Sequence, residues 1–167
     1  MKETSTLEIL KQAILLEKRG ESFYRKVSEK TEETAVRDFF EMMAAEEQKH
    51  INSLSDQFRS YCLEKKFVTC DYDDAGDSSV ASKVLTREIK EKITAAGFEA
   101  AAISAAISIE EHAVKLYTES SETATDPDAK ALYEWLARWE RGHLNLLLDI
   151  DKALREKIWF DNKFWPY

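Results

Sequence analysis

Along this 167-residue chain the apolar positions recur in steps of three and four, the spacing of one buried face on a helix. Four long segments carry the pattern. The first runs from about Thr6 to Lys30, with Leu10, Ala13, Tyr24 and Val27 on its face, and the second from about Glu33 to Lys65, with Val36, Phe40, Met43, Leu54 and Phe58. The third spans about Phe98 to Ser121, with Ile103, Ala106, Ala113 and Tyr117. The fourth spans about Asp128 to Lys157, with Leu132, Leu136, Leu147 and Ile150. The breaks agree. "KTEET" (30–34) and "TATDPDAK" (123–130) are short and polar, as turns between antiparallel neighbours should be, and Asp126 with Pro127 forms a cap and first-turn pair. Between the second and third segments lies a long connection, about residues 66–97. Its acidic, Gly/Ser-containing first part reads as exposed loop, and "VLTREIKEKI" (84–93) as a short helix. The expectation is an all-α single domain over residues 1–167: two helical hairpins, about 6–65 and 98–157, joined by one long crossover into a four-helix bundle.

The two hairpins repeat. Aligning Glu17 with Glu110 sets an offset of 110 − 17 = 93, which carries Tyr24 to Tyr117, Glu47 to Glu140 and His50 to His143. It also matches Ala13 with Ala106, Ala44 with Ala137, Asn52 with Asn145 and Leu54 with Leu147, without a gap. An internal repeat of one helical hairpin follows.

Four of the repeated residues are out of place. Glu17, Glu47, Glu110 and Glu140 stand where the periodicity calls for an aliphatic side chain. An unpaired carboxylate in a core is strongly unfavourable, and two imidazoles cannot balance four carboxylates. Two divalent cations can. Residues three apart on a helix are separated by about 60° and a rise of about 4.5 Å, so Glu47 with His50, and Glu140 with His143, can converge on one centre. One Glu from the first helix of each hairpin and a Glu-x-x-His from the second is the ligand set of carboxylate-bridged dinuclear bundles of the ferritin-like kind. Oxygen donors with one imidazole per metal suit iron, with manganese possible, and the lack of thiolates disfavours structural zinc.

Composition narrows the picture further. With 44% hydrophobic and 34% charged residues but only four Gly and two Pro, the chain favours helix over sheet. A net charge of −8 argues against a nucleic-acid binder. "MKETSTLEIL" lacks a signal-peptide core and no stretch reaches the length of a membrane span, so a cytoplasmic protein without membrane contact is expected. Cys62 and Cys70 cannot supply the four ligands of a rubredoxin or zinc-ribbon site and read as reduced, minor thiols.

"LEKRGESFY" (16–24), "AAEEQKH" (44–50), "IEEHAVKLY" (109–117) and "WERGH" (139–143) resemble the ferritin-like superfamily and, within it, the diiron domain of rubrerythrins. The resemblance covers most of the chain apart from the crossover and the tail. It implies that Glu17 and His50 bind one iron, Glu110 and His143 the other, and that Glu47 and Glu140 bridge them. It implies a non-haem diiron oxidoreductase, a peroxidase or oxidase of oxidative-stress defence, that reduces hydrogen peroxide or dioxygen. Two departures stand out. The four-cysteine rubredoxin module is lacking, so electrons are expected from a separate rubredoxin-like or flavin donor. The extra Glu that rubrerythrins carry one turn beyond the third-helix ligand is Ala113 here, which weakens the case for peroxide over dioxygen. Two other functions share the same site: iron handling by Fe(II) oxidation, or a metal-binding sensor or scaffold.

Around the site, Tyr24 and Tyr117 lie seven residues after a ligand Glu. They read either as hydrogen-bond donors to metal carboxylates or as core tyrosines. His112 is expected on the surface, and Glu46 and Glu111 are expected to be rotated off the core and solvated. Gly20 and Gly142 either allow close helix approach, leave room for an oxidant near the metals, or are simply tolerated. Trp135 and Trp139 form a stripe beside the ligand face. The aromatic tail, 158–167, is expected to pack on the bundle or at a homodimer interface, the assembly the resemblance also favours.

Overall fold

The structure is a computed structural model, and it describes residues 2–72, 87–93 and 97–162. Among the described residues five helices follow in order: α1 Lys2–Lys30, α2 Thr34–Glu64, α3 Arg87–Lys92, α4 Phe98–Thr123 and α5 Pro127–Asn162. No strand occurs among the described residues. The all-α bundle of two hairpins with a crossover is the fold observed. The most extensive packing is within the hairpins, α1 on α2 and α4 on α5, and α1 also lies against α4.

Local chemistry sets the helix ends. Asp126 Oδ1 accepts the backbone N–H groups of Asp128 (2.9 Å) and Ala129 (3.1 Å), capping α5 with Pro127 at its first position. α2 stops at Lys65, which turns left-handed (φ 58°) while its N–H returns to the Tyr61 carbonyl. The crossover is then tied back to α2 by buried Gln57. Its Oε1 accepts the Val68 N–H (2.8 Å), and its Nε2 donates to the Val68 carbonyl (2.9 Å) and to Tyr72 Oη (3.2 Å).

The short crossover helix is α3, and Ile89 and Ile93 anchor it in the core with at most 3% exposure. The acidic stretch expected as exposed loop lies largely in 73–86, outside the described residues. α5 reaches Asn162 rather than ending near Lys157, because neither proline nor glycine follows Gly142 before Pro166. The tail therefore begins as helix. Trp159 and Phe160 are 52% and 75% exposed on the single chain, and residues 163–167 lie outside the described part.

The core comprises two apolar clusters. One gathers Tyr24, Phe39, Phe40, Met43, Ile103, Leu147 and Ile150, the other Leu10, Leu54, Tyr117, Leu132 and Leu136. Burying each large apolar side chain contributes roughly 1.5–3 kcal/mol, so this shared face holds the helices more than their propensity does. Among the described residues no helix is long and apolar enough to cross a membrane.

Candidate metal centre

The six polar residues of the inner faces meet at mid-bundle. Glu17 comes from α1, Glu47 and His50 from α2, Glu110 from α4, and Glu140 and His143 from α5, none more than 3% exposed. They form two overlapping groups, Glu17–Glu47–His50–Glu140 and Glu47–Glu110–Glu140–His143, each with donor atoms within 4.8 Å of one another. Glu47 and Glu140 belong to both.

The orientation of the donors is specific. His50 Nδ1 lies 2.8 Å from Glu140 Oε1, 3.2 Å from Glu17 Oε2 and 3.5 Å from Glu47 Oε2. His143 Nδ1 lies 3.2 Å from Glu140 Oε2, 3.5 Å from Glu47 Oε1 and 3.9 Å from Glu110 Oε2. Each shared glutamate thus turns one oxygen to each histidine. The imidazoles lie 5.9 Å apart, tilted by 29°, with both Nδ1 atoms turned inward.

Two tyrosines brace the cluster across the hairpins. Tyr24 of α1 donates to Glu110 Oε1 of α4, and Tyr117 of α4 donates to Glu17 Oε1 of α1. Each hydroxyl holds the carboxylate of the other repeat, not of its own. Burial and the facing carboxylates raise both phenols well above their usual range, so they stay protonated donors.

The electrostatics divide the four carboxyls into two kinds. Burial and nearby Glu47 raise Glu17 to about 8, His50 notwithstanding. Burial, Glu140 and Glu47 raise Glu110 well above the carboxylate range. Against the cost of burial and the push of Glu17, the His50 and His143 imidazoles bring Glu140 down to about 2. Hydrogen bonds from Glu17, His143 and His50 likewise lower Glu47 despite burial and Glu140. Burial disfavours charge on both histidines, yet the surrounding carboxylates win and raise them.

The cluster suits cations on two structural grounds. Four carboxylates sit in a space from which solvent is excluded, where charge needs a counter-charge. Glu140 Oε1 also has no hydrogen-bond partner among the described residues; His50 Nδ1 is close but not aligned to donate to it.

One expectation fails. Glu46 is not solvated: it is 8% exposed, and its Oε2 lies 2.7 Å from His143 Nε2 while accepting the Trp139 indole N–H at 3.0 Å. Sequence position alone rotates it off its own helix face, but α5 of the other hairpin closes over that side. Its repeat partner offered the missing signal, since the 93-residue offset pairs Glu46 with Trp139, and two residues related by a pseudo-twofold can meet at its axis. Glu111 and His112 are exposed, with His112 Nδ1 2.6 Å from the Ser108 carbonyl. Gly20 lies against Glu47, where a Cβ would meet Cδ and Cγ at 3.6 Å, whereas a Cβ on Gly142 would meet nothing within 4 Å. Cys62 and Cys70 are free and exposed.

Comparison with known proteins agrees with the fold. The family model described as Rubrerythrin matches residues 8–97 and 101–164. No curated protein matches the chain. Among solved structures, a hypothetical protein from Pyrococcus furiosus, Pfu-1136390-001, is similar in fold. The TM-score is 0.64 at 24% identity, over 93% of this chain and 94% of that one.

Proposed function

The chain belongs to the rubrerythrin family, and from that premise we propose that it is a non-haem diiron oxidoreductase reducing hydrogen peroxide or dioxygen. The observation that carries this reading is the pair of overlapping donor groups that share Glu47 and Glu140. Glu17 and His50 would hold one iron and Glu110 and His143 the other, with Glu47 and Glu140 reaching both. Bound Fe(II) ions would supply the two electrons that reduce a peroxide or dioxygen substrate.

The chain's own contribution is placement. Tyr24 and Tyr117 hold Glu110 and Glu17 at one oxygen each, leaving the second oxygen toward the cluster. Apolar side chains on either side of the carboxylates keep bulk water out, which strengthens every electrostatic contact inside. The shared glutamates can redistribute their two oxygens as charge at the centre changes. Ala113, buried at 4% exposure, leaves the α4 position one turn past Glu110 without a carboxylate, which favours a fixed ligand set. Electrons come from a rubredoxin-like or flavin donor outside this bundle, whose two cysteines cannot build a four-thiolate centre. The working assembly is a homodimer.

The test is iron content. Anaerobic loading with Fe(II) and removal of excess gives about two irons per wild-type chain, lost in the Glu47→Ala, Glu140→Ala double variant. Loaded protein then consumes peroxide or dioxygen in proportion to added reductant over many cycles. A wild-type chain that retains no iron, manganese or zinc refutes the reading. Uptake of many irons per chain without turnover points to iron handling instead.

A further inference from the structure

The two halves of the centre repeat in their inward donors but not behind their histidines. His143 Nε2 lies 2.7 Å from Glu46 Oε2, and Glu46 is held in turn by the Trp139 indole N–H at 3.0 Å. A cation held at Nδ1 would leave the ring proton on Nε2, to be donated to Glu46, although the Trp139 indole nitrogen also lies 3.1 Å from Nε2. His50 differs. Its Nε2 is buried and has no hydrogen-bond partner among the described residues. The residue that the repeat places where a second Glu46 would stand is Trp139. In place of a carboxylate, His50 meets the rings of Trp135 and Trp139, at 5.5 and 5.6 Å and nearly perpendicular to it.

A carboxylate accepting the outer ring N–H fixes the tautomer and orientation of a ligating histidine and raises the basicity of the ligating nitrogen. An indole ring supplies no comparable acceptor, and an N–H facing a π-system is a weak bond. The difference is a charged hydrogen bond on one side and none on the other, in a site too dry for solvent to compensate. We infer that Glu46 is a positioning residue that makes the two metal positions unequal. The position of Glu110 and His143 is the tighter one, filling first and retaining its cation, and the position of Glu17 and His50 is the weaker, exchangeable one.

This inference rests on the metal reading above, and its test separates the two. Mutual repulsion would split the affinities of two cations even in identical positions, so single-position variants decide. The metal-free protein is titrated anaerobically with Co(II), and binding is followed by calorimetry and by the ligand-field absorption. His50→Ala, which keeps the Glu46-backed position, binds its one cation roughly 10–100-fold more tightly than His143→Ala does. Glu46→Gln keeps the side chain's volume and an acceptor for Trp139 but loses the charge. It weakens the first wild-type step by tenfold or more and brings it toward the second. A purely structural Glu46 would leave that step unchanged. In Co(II)-loaded protein the hyperfine-shifted ring N–H proton of His143 exchanges slowly with solvent, and it moves and exchanges faster in Glu46→Gln. Equal affinities in the two histidine variants, or a first step indifferent to Glu46→Gln, overturn the inference and leave the metal centre standing. If either histidine variant fails to fold, Glu46→Gln decides by itself. Wild-type protein that binds no Co(II), Fe(II) or Mn(II) overturns both.

Discussion

Metal loading should release protons, and the cluster indicates how many. In the metal-free protein near pH 7, Glu17, with a pKa of about 8, is about nine-tenths protonated. Glu110 is raised well above the ordinary range and stays neutral. His50 and His143 are raised and carry a charge each, while Glu47 and Glu140 are lowered and ionised. Two imidazolium ions and two carboxylates sum to zero. With two divalent cations bound, all four glutamates are ionised and both histidines neutral at Nδ1, so the sum is again zero. The exchange is about four protons for two cations, or about two per cation. Each dissociation constant should therefore fall about 100-fold for each unit that pH rises toward Glu17's value of about 8, and more gently above it. Calorimetric titration with Mn(II), in two buffers of different ionisation enthalpy near pH 6.5, measures the release directly. A release of less than about one proton per cation, or an affinity flat across that range, would refute the charge balance argued here.

Three further outcomes follow from the same residues. Folding favours the protonated form of a group such as Glu17, whose carboxyl is raised from 4.5 to about 8; its contribution is complete below pH 4.5 and lost as pH climbs through about 8. Glu140, lowered to about 2, contributes above pH 4.5 and loses that contribution as pH falls toward about 2. The metal-free protein should accordingly be less stable near pH 8.5 than near pH 6, by roughly 1–3 kcal/mol, in chemical denaturation, and bound cations should remove the difference. Tyr24→Phe takes the donor from buried Glu110 and should cost about 1–3 kcal/mol and weaken cation binding; unchanged denaturation and binding curves would deny the brace its role. Gly142→Ala, with nothing near the added methyl, should stabilise α5 by roughly 0.5–1 kcal/mol, read as a higher denaturation midpoint with metal content unchanged.

Much of this molecule is legible along the chain because helices report their buried face every three or four residues. The four long helices, the Asp126 cap, and the glutamates and histidines misplaced on apolar faces are all local facts, and the 93-residue repeat multiplies them. A carboxylate at an apolar position is conspicuous whatever surrounds it, which is why all six inward residues stand out before any coordinates. What lies off that face does not show itself in this way. Glu46 reads as solvated because a single helix has an outside; only α5, folded across it, turns that outside into an interior and sets Trp139 and His143 against it. Trp159 and Phe160 stay largely exposed on the single chain, because aromatic character marks a residue for contact without saying which surface it meets. The crossed tyrosine contacts, Tyr24 to Glu110 and Tyr117 to Glu17, likewise depend on α1 lying beside α4. Periodicity determines which side of a helix is buried, whereas the identity of the residue met there is decided only when two helices distant in sequence pack together.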